Sequence, residues 1–123
     1  MKKYSFIILL IIIFGLPSGC SNPVNTKTIN LIPPTLISPP NGAPDVELEE
    51  TFVWSGACNR LEIDYTPSFN VPVFSRSVTG TQYKLPPGVL AYNAYYYWRC
   101  GLVSGSTVVW SSPIFGFKTK QNP

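Results

Sequence analysis

Beyond residue 34, apolar side chains recur at every second position in short runs cut by proline, glycine and asparagine. Alternation of that kind lines one face of an extended strand. The strongest run is 94–100, where aromatic residues suit the pleated, half-buried surface of a sheet. Tyr96, Trp98, Cys100 and Leu102 then face a core, and Tyr95, Tyr97 and Arg99 face away. The run 60–65 alternates as cleanly, with Leu61, Ile63 and Tyr65 inward and Arg60, Glu62 and Asp64 outward as solvated charges. Phe52 and Trp54 share one face of a strand over 51–56. Further strands are expected at 36–38, 82–85, 108–110 and 114–119, and at 71–78 as an edge strand because of Pro72. Asn41-Gly42, Thr79-Gly80, Pro86-Pro87-Gly88 and Ser104-Gly105-Ser106 supply turns, and the acidic stretch 47–50 reads as a solvated turn or edge. No helical spacing occurs after residue 20. About seven short strands at this pitch predict an all-β antiparallel β-sandwich over 35–120, with 121–123 as a tail.

The first nineteen residues follow a different pattern. Lys2 and Lys3 precede an apolar run over 6–16, and small residues follow at Ser18 and Gly19. Basic, apolar, small is the order of a secretory signal peptide, here 1–19. The run is about half of the roughly 20 residues that a membrane-spanning helix needs, which disfavours the alternative of a retained anchor. Residues 20–34 are polar and proline-bearing and read as a tether. Ile29, Leu31 and Ile32 leave open an edge strand within it.

Leu16-Pro17-Ser18-Gly19-Cys20 resembles the cleavage motif of bacterial lipoproteins, in which a small residue precedes a lipidated cysteine. Pro17 departs from the aliphatic residue preferred at its position. The resemblance implies acyl chains on Cys20 and hence a membrane as partner, since each buried methylene adds about 0.8 kcal/mol of membrane affinity. Ordinary signal cleavage that leaves Cys20 unlipidated is the alternative. Either way the chain is expected to be exported, and with lipidation it is a membrane-anchored lipoprotein of the bacterial envelope, periplasmic or surface-exposed.

Export changes how charge and cysteine are read. The formal charge of +3 includes Lys2 and Lys3, so seven basic residues face six acidic ones once the signal is gone. No basic patch of the kind nucleic acid requires is present in the sequence, and no nucleic-acid partner is expected. With Cys20 assigned to the cleavage point, Cys58 and Cys100 remain. An even pair in an exported domain reads as a disulfide. Closing a loop of about 40 residues would stabilise by roughly 4 kcal/mol in the chain-entropy model. Two thiols and no histidine do not make the usual four-ligand zinc site, so no metal or other cofactor is expected.

The motifs Leu36-x-Ser38-Pro39-x-Asn41-Gly42, Phe52-x-Trp54-Ser55, Leu90 followed by 95–99, Trp110-Ser111 and Phe115-x-Phe117-x-Thr119 resemble, in this order, a bacterial fibronectin type III domain. The resemblance spans nearly all of 34–120. It implies that Trp54 is the core tryptophan of the second strand. Tyr96, six residues after Leu90, is implied to be the corner tyrosine whose hydroxyl returns to the backbone. It also places Cys58 and Cys100 at one pole of the sandwich, although most members carry no disulfide.

Catalytic chemistry finds little material. The chain has no histidine, the residue that most often serves as general base. Glu62 and Asp64 on one outward face read as solvation rather than an acid/base pair, and no glycine-rich phosphate loop leads into a helix. The chain is therefore expected not to be an enzyme. A structural or protein-interaction module of the envelope is the leading expectation. Its alternative is a surface module that binds glycan or matrix through an aromatic strip of Tyr95, Tyr97 and Arg99, extended by Tyr92 and Trp110. Against that strip stands the reading in which the tyrosines cover the sheet and pack toward Arg60 or Lys118, with Trp110 padding a corner.

Overall fold

Nine strands and no helix account for residues 30–123, the part of the chain that the structure, a computed structural model, describes. The expected signal peptide over 1–19, the expected lipidation site Cys20 and residues 20–29 of the expected tether lie outside the described residues. The strands are β1 (Thr35–Ser38), β2 (Ala43–Val46), β3 (Thr51–Ser55), β4 (Arg60–Asp64), β5 (Phe74–Ser77), β6 (Gln82–Lys84), β7 (Tyr95–Ser104), β8 (Thr107–Trp110) and β9 (Phe115–Thr119). They form a three-stranded sheet, β1-β3-β6, and a six-stranded sheet, β2-β9-β7-β4-β5, with β8 paired to β7.

Alternation explains how the sheets meet. Leu36, Phe52 and Trp54 from the smaller sheet and Leu61, Ile63, Tyr96, Trp98 and Phe117 from the larger form one buried cluster. Phe52 stands edge-on to Trp98 with ring centroids 4.9 Å apart, and edge-on to Phe117 at 5.6 Å. Such edge-to-face contacts add to the burial itself. The polar atoms of the two core tryptophans are satisfied: Trp98 Nε1 donates to Pro39 O at 3.2 Å and Trp54 Nε1 to Gly80 O at 3.1 Å. The result is a β-sandwich-like, all-β arrangement.

Several expectations need correction. Nine strands replace about seven, and the strand the sequence did not offer is β2, which follows the Asn41-Gly42 turn. Pro39 and Pro40 separate β1 from β2, and Pro113 lies between β8 and β9. The first break carries the chain from one sheet to the other, and β2 then runs parallel to β9, so the pairing is not wholly antiparallel. The edge strand β5 starts at Phe74 rather than at 71, and Val71 stands 80% exposed before it. β7 is longer than the aromatic run alone. Its first half pairs with β9, its centre with β4 and its second half with β8. Tyr65 is exposed at the end of β4 instead of inward, with its ring laid over that of Tyr96 at 5.0 Å.

Candidate functional site: the outer face of the six-stranded sheet

Residues on β7 that point away from the core share their face with Glu62 and Asp64 of β4 and with Gly116 of β9, across pairings Glu62↔Arg99, Asp64↔Tyr97 and Tyr97↔Gly116. On that face Arg99 is held from every side. Its Nη2 and Nε donate to Glu62 Oε1 at 2.8 and 3.2 Å. Ser75 Oγ donates to the other carboxylate oxygen at 2.9 Å, and Arg60 Nη1 donates to Ser75 Oγ at 3.2 Å. The guanidinium lies 3.6 Å from the ring centroid of Trp110 and 4.3 Å from that of Phe69. Planar, delocalised charge stacks on aromatic faces in this way. The side chains of Arg99 and Glu62 keep 18% and 11% exposure. Glu62 and Asp64 are therefore buried, at 8% and 6%, and not solvated as the alternation suggested.

Two local features build the stack. The β4–β5 connection folds back so that Phe69, at 5% exposure and φ 53°, closes over Arg99. A bulky residue at positive φ is uncommon; burial of its ring offsets the strain. On the other side, Trp110 lies across Gly101, its partner in the β7–β8 pairing. A Cβ at Gly101 would sit 2.5 Å from two atoms of the indole. Gly101→Ala is accordingly expected to push Trp110 off the guanidinium and cost about 1–3 kcal/mol, the range of overpacking. Urea unfolding monitored by tryptophan fluorescence checks it, and an unchanged midpoint would show that the indole moves aside freely.

Tyr95 and Tyr97 form the other half of the face. Their rings meet edge-on at 5.5 Å, and Gly116 leaves the space they occupy, since a Cβ there would come within 3.1 Å of both. Tyr95 is 46% exposed and Tyr97 is half-buried. The structure thus splits the expected strip. The two tyrosines lie together at the surface, whereas Arg99 and Trp110 are committed to each other. Tyr92 belongs elsewhere, in an open cleft of about 490 Å³ lined also by Glu47, Glu49, Glu50, Lys84 and Lys120. In that cleft Lys120 Nζ lies 3.0 Å from Glu47 Oε1, and the hydrogen bond and charge of Glu47 raise the Lys120 ammonium above its ordinary range.

The two ends of β7 are fixed by hydroxyl and amide groups. At its start, Ala91 N–H donates to Tyr96 Oη at 2.9 Å. Thr119 Oγ1 donates to Ala91 O at 2.6 Å and accepts from Ala94 N–H at 2.9 Å. Toward its far end, Cys58 and Cys100 are both free and buried in the core cluster. The Asn59 carboxamide pairs with both backbone groups of Val103, donating to its O at 2.9 Å and accepting from its N–H at 2.8 Å. Sequence reasoning missed Thr119, Phe69 and Asn59. Nothing in strand alternation marks a contact in which one of the two residues lies outside a strand.

No family model, curated protein or solved structure matches this chain. What the geometry defines is a class: a two-sheet, all-β module whose larger outer face is largely closed by its own side chains.

Proposed function

We propose that this chain is a non-catalytic lipoprotein of the bacterial cell envelope, anchored through acyl chains on Cys20, in which a fibronectin type III-like module serves a structural or protein-interaction role. The observation that supports this most is the division of strands, β1-β3-β6 against β9-β7-β4-β5, together with the Tyr96 hydroxyl returned to Ala91 N–H. A Greek-key sandwich with a tyrosine corner combines these two features. Because that fold serves many roles, the function is argued from the face and the tether. Arg99 is engaged by Glu62, Trp110 and Phe69, which favours a scaffold over a cationic ligand strip. Tyr95 and Tyr97 are left as the aromatic surface available to a partner.

The anchor is tested by Cys20→Ser in the bacterium. Metabolic labelling with tritiated palmitate is expected to mark the wild type and to be lost in the variant, which should move from the membrane to the soluble fraction. Equal labelling of both forms, or membrane retention of the variant, would remove the lipoprotein reading. Protease treatment of intact cells then reports the side: loss of the module places it outside, and survival until lysis places it within the envelope.

A further inference from the structure

Cys58 and Cys100 belong to one buried cluster, where the residues leading into β4 reach β7. Arg60 pairs with Gly101 and Leu61 with Cys100, and Asn59 N–H donates to Gly101 O at 3.0 Å. These contacts place the residue after Cys58 against the residue after Cys100. Ser111 holds Cys100 through both backbone groups: Cys100 N–H donates to Ser111 Oγ at 3.1 Å, and Ser111 N–H donates to Cys100 O at 2.8 Å. Cys58 Sγ donates to Arg60 O at 3.4 Å.

The two thiols are not equivalent. Cys100 sits on the core face of β7 with no exposure, whereas Cys58 precedes β4 and retains 6%. The hydrogen bond from Cys100 lowers the Cys58 thiol below its ordinary range, against the opposing effect of burial. That same contact, with burial, pushes Cys100 up. The thiolate is the nucleophile in exchange, so access and acidity select the same sulfur.

We propose that Cys58 and Cys100 form a disulfide by thiol–disulfide exchange, with Cys58 as the entry thiol and Cys100 as the buried resolving thiol. The oxidant is a small or protein disulfide. Cys58 thiolate attacks one of its sulfurs, a mixed disulfide forms, and the other sulfur leaves as a thiolate. Cys100 passes its proton to that leaving thiolate or to solvent and attacks the Cys58 sulfur. The Cys58–Cys100 bond forms and the second thiolate is released. Two protein thiols lose two electrons and two protons, and the oxidant disulfide is reduced to two thiols. Export supplies such oxidants in the cell, but the chemistry itself is independent of the anchor at Cys20.

The test uses the full chain extracted from membranes, reduced, and exposed to oxidised glutathione before alkylation and trypsin digestion. Cleavage after Lys27, Arg60, Arg99 and Lys118 puts Cys58 in peptide 28–60 and Cys100 in peptide 100–118. The wild type is expected to yield these two peptides linked, with glutathione appearing transiently on 28–60. Cys100→Ala should trap glutathione on Cys58, and Cys58→Ala should leave Cys100 at least about tenfold slower to react. Both thiols remaining free in the wild type, or glutathione appearing first on 100–118, would overturn the proposal. Tryptophan fluorescence shows whether each variant is folded. Where one is not, the order of labelling in the wild type decides alone.

Discussion

Arg99→Ala is expected to lower the unfolding free energy by about 3 kcal/mol and the midpoint temperature by about 10–20 °C. Removing one partner of a covered ion pair costs about 3–5 kcal/mol, because the charge left behind has lost its counterion but not its burial. Here Glu62 keeps a hydrogen bond from Ser75 and 11% side-chain exposure, which pulls the figure toward the low end. The lost stacking on Trp110 and Phe69 adds to it, since cation–π contacts contribute about 0.5–2 kcal/mol as solvent is excluded. Urea denaturation followed by tryptophan fluorescence gives the number directly. The pair Arg99→Met with Glu62→Met should recover most of the loss, because apolar replacement of both charges removes the stranded carboxylate. A loss below about 0.5 kcal/mol for Arg99→Ala would place this arginine among ordinary surface charges.

The same residues show what alternation can and cannot say. Leu61, Ile63, Tyr96, Trp98 and Cys100 were legible as core from period alone, and all five are buried at 0% exposure. On the opposite face, alternation alone sends Glu62 and Asp64 to solvent because they are charged. Period reports which residues share a face; it does not report what folds over that face. Phe69 reaches Arg99 from a nonperiodic connection, and Trp110 reaches it from a strand that pairs only with the second half of β7. Two glycines make the difference. Gly101 and Gly116 look like weak points in strands, and each is instead the seat of an aromatic ring.

Strand breaks were legible in kind but not in consequence. Proline marked the interruption between β1 and β2, yet the change of sheet that follows depends on where β9 lies, about 70 residues later in the chain. The side-by-side placement of Cys58 and Cys100 was expected from the fibronectin type III resemblance and not from spacing. The burial of Cys58 and the inequality of the two thiols are visible only in the folded chain.

The second large effect concerns the loop at 90–94, which two hydroxyls hold by one residue. Tyr96 accepts from Ala91 N–H, and Thr119 donates to Ala91 O while accepting from Ala94 N–H. Tyr96 and Thr119 are themselves 0% and 1% exposed, so neither hydroxyl has water as a ready substitute. Tyr96→Phe and Thr119→Val preserve shape and remove one hydroxyl each. A stranded buried polar group costs about 1–3 kcal/mol, and partial solvent access to the loop backbone favours about 1–2 kcal/mol for either change. The double variant is expected to lose less than the sum, with a coupling of about 0.5–1 kcal/mol, because a loop freed at one peptide group of Ala91 no longer presents the other in register. Urea unfolding of the four proteins measures the cycle, and hydrogen exchange should show the Ala91 amide losing protection in Tyr96→Phe. Strict additivity would mean that the two hydroxyls act on independent parts of the loop. Coupling would instead make Ala91 the point where the end of β9 and the start of β7 are fastened together, so that Thr119 fixes the loop as fully as Tyr96 does.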